Sequence, residues 1–344
     1  MIEKLSLRNF RVLRNVDVDL RPFSLLVGPN ASGKSSLLKA LEILTRYIAG
    51  QGSAFSGELA ANELLSRTPK GDLRLSCKGH YSGEELSFSL VVPGYMPLEG
   101  RWRGKQLTQN VLDDLAQIIR PAALLNLDVK KLAAPYVPQA VTLALPNDGE
   151  GLSSILAGLY LQHPKRFVDL IEQLREIVPG VLNVRFKRTP LKNGIADELL
   201  FDMQGAEDIP AFAISDGTLL TLGLLTILAA PEPPQLVLID ELERGLHPKA
   251  LADLVQQLRR LQEQNPELQI VATSHSPYLL DHFKAEEILL TSLDAEGYAA
   301  VKPLTDHPEY ERWKDLMAPG EFWSTVGESW ITEGDSKKAS ATGR

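Results

Sequence analysis

Hydrophobic positions follow three regimes along the chain. Near the N-terminus Val16, Val18 and Leu20 alternate with Asp17 and Asp19, the period of a half-buried strand. Leu73, Leu75 and Cys77 alternate likewise. Beyond a turn at Ser82-Gly83, so do Leu86, Phe88, Leu90 and Val92, which predicts an antiparallel hairpin. Between these strands Leu37, Leu41, Leu44 and Ile48 recur at helical spacing and predict a helix over residues 35–48. In the middle, Leu152, Ile155, Leu156 and Leu159 form one helical stripe. Phe167, Leu170, Ile171, Leu174 and Ile177 form another, with His163-Pro164 as the break. Residues 181–203 return to strand character around Asn193-Gly194. In the last third, short apolar runs at 236–239 and 270–273 read as strands buried on both faces. A helix between them starts at Pro248 and carries Leu251, Leu254, Val255, Leu258 and Leu261, the alternation a parallel sheet requires. No internal repeat or sustained heptad pattern occurs, so a long coiled-coil arm is not expected.

Composition adds limits. With 344 residues, 44% of them hydrophobic, the chain can bury a real core. The net charge of −8 is opposite to that of a protein that mainly coats nucleic acid. Two runs, Arg101-Trp102-Arg103-Gly104-Lys105 and Arg185-Phe186-Lys187-Arg188, mix basic and aromatic residues. They read first as solvated hairpin edges and second as contacts to a nucleic acid backbone, which keeps nucleic acid as a candidate partner. Cys77 is the only cysteine, so no internal disulfide forms and a cytoplasmic home is the default. The charges of Glu3, Lys4 and Arg8 leave no signal-peptide core, and the apolar run 219–230 is too short to span a bilayer, so no membrane partner is expected. Six histidines without metal spacing give no zinc site. The polar tail 331–344 is expected to be disordered.

The chemistry concentrates at one loop. The apolar residues 24–27 run into Gly28-Pro29-Asn30-Ala31-Ser32-Gly33-Lys34-Ser35 and then into the predicted helix, with Ser36 as the next residue of the set. This is G-x-x-x-x-G-K-[ST] in strand–loop–helix context, a P-loop for ATP. Glycines let successive N–H groups turn inward on the β-phosphate, and the helix N-terminus adds its positive dipole end. Lys34 would span the β- and γ-phosphates and Ser35 would ligate Mg2+. Downstream, Asp240 closes a buried strand and offers a carboxylate to Mg2+, while Glu241 is placed to accept a proton from the attacking water. His275, just past the next buried strand, can hydrogen-bond the γ-phosphate. His247 before Pro248 reads first as a helix cap. Phe322, Trp323 and Trp330 read first as a cap on the core and second as a docking patch.

These three elements in this order resemble the ABC-class ATPases, in particular the RecF, SMC and OLD-like branch. The opening LSLRNFR at residues 5–11 is similar to that branch's first strand and turn, which implies that Arg11 approaches the phosphates. Ile214-Ser215-Asp216-Gly217-Thr218 resembles the signature segment of small prokaryotic OLD-like ATPases. By that resemblance Ser215, Asp216 and Gly217 close on the nucleotide of a second copy. Residues 148–152, 178–180, 245–248 and 317–323 also look like that group, so the resemblance extends over nearly the whole chain. Gln139 is the candidate for a glutamine loop. The implied fold is α/β: one ABC-type head over 1–330, a P-loop NTPase. It has a β-rich N-terminal lobe (1–100), a largely helical insertion (101–210) and a parallel α/β lobe (211–330). The implied function is that of a cytoplasmic Mg2+-dependent ATPase subunit of a prokaryotic anti-phage or DNA-repair complex. It would form an ATP-sandwiched homodimer or higher oligomer with a separately encoded effector. A non-catalytic nucleotide switch holding a partner is the alternative.

Overall fold

The computed structural model describes residues 1–50, 65–66, 71–92, 96–138, 143–192 and 194–332. Gln139, Asn193 and residues 333–344 lie outside these. The chain divides into two compact units, the first made of residues 1–124, 235–242 and 265–344 and the second of residues 125–234 and 243–264.

The first unit holds two sheets. Strands β1 (Ile2–Phe10), β2 (Leu13–Asp19), β4 (Leu73–Tyr81), β5 (Glu84–Val92), β6 (Met96–Trp102) and β7 (Lys105–Gln106) form an antiparallel sheet in the order β2-β1-β4-β5-β6-β7. The second sheet runs β15-β14-β3-β13-β12-β8. Its members are β3 (Phe23–Val27), β8 (Ala123–Leu125), β12 (Leu236–Ile239), β13 (Gln269–Ser274), β14 (Ile288–Leu293) and β15 (Ala299–Pro303). Strands β12, β13, β3 and β14 are mutually parallel, and β15 returns antiparallel. All five residues of β3 are buried, as the unbroken apolar run requires of a strand covered on both faces.

Helix α1 (Lys34–Ile48) packs against both sheets. Leu37, Leu38, Leu41, Leu44 and Ile48 are fully buried. They share one core with Leu5, Leu7, Leu75 and Phe88 of the antiparallel sheet and Leu26, Leu238 and Val271 of the parallel one. Each such side chain contributes about 1.5–3 kcal/mol of burial, so this helix ties the sheets into one body. The predicted hairpin is observed as β4–β5.

The remaining helices are α2 (Gln109–Ile118), α3 (Val129–Ala133), α4 (Leu152–Gln162), α5 (Pro164–Ile177), α6 (Asp216–Leu228), α7 (Pro248–Gln264), α8 (Pro277–Leu280), α9 (Tyr310–Trp313) and α10 (Pro319–Val326). Helices α3 to α7 belong to the second unit. There they accompany a three-stranded antiparallel sheet, β11 (Ala206–Pro210), β10 (Gly194–Met203) and β9 (Val181–Leu191). The middle of the chain is therefore strand as well as helix, because Leu199 and Phe201 alternate inward, with Val184 opposite Phe201. The apolar run at 219–230 is the buried helix α6, and no described helix is long and apolar enough to cross a membrane. Phe322 and Ile331 are both buried, so packing reaches at least to residue 331.

Candidate nucleotide site

The loop from β3 to α1 is shaped by what lies beneath it. At Gly28, φ is 149°, and a Cβ there would fall 2.2 Å from the carbonyl oxygen of Thr291 on β14. Only glycine fits so close an approach. Gly33 adopts φ 96° and starts α1 with no capping side chain, leaving the positive end of the helix for an anion. Ser32 Oγ donates to the carbonyl of Pro29 at 2.8 Å and shares a second hydrogen bond with Thr291 Oγ1. Buried Lys34 crosses the loop and donates to the carbonyls of Gly28 at 2.8 Å and Pro29 at 2.7 Å. Pro29, Asn30, Ala31 and Ser35 are exposed along the loop, and Ser36 is half-buried behind them.

The acidic residues meet this loop through strand register. Ile239 of β12 pairs with Ala272 of β13, while Thr273 and Ser274 pair with Leu26 and Val27 of β3. The three strands thus end side by side, at the carboxyl edge where α/β sheets bind ligands. Asp240 follows β12 and accepts a hydrogen bond from Ser35 Oγ at 2.7 Å on one oxygen and from Thr273 Oγ1 at 2.6 Å on the other. Thr273 Oγ1 in turn accepts the Glu241 amide at 2.8 Å. Glu241 itself sits in the left-handed region at φ 58°, a backbone cost of about 1–2 kcal/mol for a non-glycine residue. His275 follows β13 and is half-buried.

Ser35 Oγ and Asp240 Oδ2 are both hard oxygen donors at hydrogen-bond distance and both exposed. That suits Mg2+, which takes one or two protein oxygens and fills the remainder of its octahedron with phosphate and water. Among the described residues no three His, Cys, Asp or Glu side chains cluster as an all-protein metal cage.

Arg11 lies in the turn between β1 and β2 at φ 50°. The next residues, Val12 and Leu13, reach the P-loop: their side chains come within 3.2 and 3.1 Å of where a Cβ on Gly33 would stand.

Ser215, Asp216 and Gly217 belong to the second unit. Ser215 caps α6, its Oγ accepting from the Thr218 amide at 3.4 Å. Ser215 and Asp216 are exposed, whereas Gly217 is buried because a Cβ there would lie 2.2 Å from the Gly245 carbonyl. His247 precedes α7, and its Nδ1 accepts the Lys249 amide at 3.3 Å. Of the basic-aromatic runs, Trp102 is buried under the Arg103 guanidinium, and Arg185 is committed to Asp202 and Asp208.

Two residues of the site carry no sequence signal of their own: Thr273 as the link between the acids, and Thr291 as the floor of the loop.

A P-loop and an acidic strand end, set on the carboxyl edge of a largely parallel sheet that shares α1 with an antiparallel sheet, define an ABC-class ATPase head. The solved structure of an Smc head bound to the C-winged helix domain of ScpA has this fold. It matches with a TM-score of 0.62 at 15% identity, covering 90% of this chain and 99% of that one. The chain belongs to the family described as AAA domain, putative AbiEii toxin, Type IV TA system, whose model matches residues 101–281, more than half of it. Residues 1–78 match a second model, AAA ATPase domain. Similar proteins include the OLD nuclease of Thermus scotoductus (strain ATCC 700910 / SA-01), 39% identical over 44 residues, which are 13% of this chain and 8% of that protein. The Septu protein PtuA of Bacillus mycoides (strain KBAB4) is 24% identical over 321 residues, 88% of this chain and 42% of that protein. The chain thus spans less than half the length of these curated relatives. The RecF, SMC and OLD-like resemblance is borne out at the level of family and fold.

Proposed function

We propose that the protein binds ATP with Mg2+ and hydrolyses it, as the ATPase subunit of a prokaryotic anti-phage or DNA-repair complex that works with a separate effector. The observation that carries the reading is the 2.7 Å contact between Ser35 Oγ and Asp240 Oδ2, two residues 205 positions apart in sequence. Lys34 and the backbone N–H groups of residues 30–35 neutralise and orient the triphosphate. Ser35 and Asp240 hold Mg2+, which when bound polarises the phosphate oxygens. Glu241 takes the proton of the attacking water, and His275 hydrogen-bonds the γ-phosphate. Ser215 and the backbone amide of Gly217, at the start of α6, meet the nucleotide of a second copy, so that ATP joins two heads and hydrolysis parts them.

Purified protein tests this directly. Wild type is expected to release phosphate over many turnovers with MgATP. Glu241→Gln is expected to lose about 10²–10⁴-fold in rate, the usual share of a general base, while still binding ATP. It should then sediment as a dimer with ATP. Phosphate release no greater than the Glu241→Gln level would favour the non-catalytic switch, and a monomeric mass with ATP would rule out the sandwich.

A further inference from the structure

We propose that Ser66 is a positioning residue for the nucleotide site, acting through the β1–β2 turn. The inference rests on residues 28–35 being the triphosphate loop.

The turn is held in an unfavourable shape. Asn9 and Arg11 both have positive φ, 54° and 50°; asparagine visits this region readily, but for arginine it is costly. Such backbone persists only where its surroundings over-determine it. One strand bridge and three hydrogen bonds do so here. Leu65 bridges Phe10 in antiparallel register, and the Ser66 amide donates to the Asn9 carbonyl at 3.0 Å. The Ser66 hydroxyl donates to the Arg11 carbonyl at 2.6 Å. Asn9 Nδ2 donates to the Asp72 carbonyl at 3.0 Å and closes the other side. Ser66 is only 4% exposed, so loss of its hydroxyl leaves the Arg11 carbonyl without that donor in a sheltered site.

The turn has two outputs. Val12 and Leu13 rest on Gly33, the last loop residue before Lys34, and the Val12 carbonyl accepts the Ala299 amide at 2.8 Å. The Arg11 side chain forms no ion pair with a carboxylate among the described residues. Its neighbours Arg8 and Arg14 are bound to Asp17 and Glu296. That guanidinium lies over the Phe10 ring, 5.7 Å from its centroid, a contact that leaves its N–H groups able to meet a phosphate oxygen from a turn that touches the phosphate loop. One buried hydroxyl, far from the loop in sequence, thus sets both the seat of Gly33 and the placing of Arg11.

The test measures MgATP binding with a fluorescent ATP analogue, together with turnover and the thermal midpoint. Ser66→Ala is expected to weaken binding about tenfold with kcat changed less than twofold, and Ser66→Thr, which keeps the hydroxyl, to restore it. Arg11→Ala should show a similar loss, and the double variant a loss smaller than the product of the two single losses, because the residues share part of one route. Wild-type affinity in Ser66→Ala, or losses that multiply in the double variant, would overturn the proposal. So would a lowered thermal midpoint with unchanged affinity. If Ser66→Ala does not fold, Ser66→Cys, close in shape with a weak donor, takes its place. Should Lys34→Ala bind as tightly as wild type, the loop reading itself fails, whatever Ser66 does.

Discussion

One hydroxyl, that of Thr273, accepts the Glu241 amide and donates to Asp240, and its side chain is fully buried. Replacing it by valine keeps the shape and strips both acids of a partner, at a cost of about 1–3 kcal/mol for the groups left unsatisfied. Because Asp240 also receives Ser35, the loss should fall on the proposed metal position. Thr273→Val is expected to raise the Mg2+ concentration for half-maximal turnover about tenfold, read by titrating the metal at saturating ATP. The sequence could not assign that role to Thr273. The loop residues from Gly28 to Ser35 are contiguous, so their chemistry is legible in eight letters, and Asp240-Glu241 is legible as a charged end to an apolar strand. The link at Thr273 depends on the Ile239–Ala272 register between strands that are far apart in the chain. Ser66 and Thr291 are likewise single polar residues whose meaning comes from what folds against them.

Elements were legible where their period was clean. The β4–β5 alternation, the helical stripe of α1 and the apolar runs of β3, β12 and β13 all stand where the pattern puts them. Sheet order did not show, since β14 and β15 reach β3 only through long-range pairing and carry no turn signature linking them to it. Strand β4 has a consequence of its own. Cys77 and Tyr81 both point into the core, and burial pushes the Cys77 thiol up to about 12 and the Tyr81 hydroxyl up as well. Both keep their protons in the folded state after the unfolded chain has lost them. Stability is therefore complete below the ordinary thiol range and falls as pH rises from about 8.5 towards 12, by about 1.4 kcal/mol per unit for each group titrating. Urea midpoints taken at about pH 7.5, 9 and 10.5 should decline in that order. Cys77→Ala should flatten the first part of the decline, and a flat wild-type profile would contradict the assignment.

At the scale of the molecule, the chain crosses between its two units four times, at 124–125, 234–235, 242–243 and 264–265. Composition does not change at these points, so the units cannot be seen in the sequence, where lobes by thirds of the chain were the natural expectation. The last residues of the short stretch 235–242 include Glu241, in its left-handed conformation. Asparagine tolerates that backbone far better than glutamate, so Glu241→Asn is expected to raise folding stability by about 0.5–1 kcal/mol while turnover falls away. Chemical denaturation and phosphate release on the same sample would show both. A library of variants enriched only for survival after heating should therefore drift away from glutamate here, becoming sturdier and inert. A heat-loving lineage that keeps the acid would be retaining it for chemistry, against the pull of its own fold.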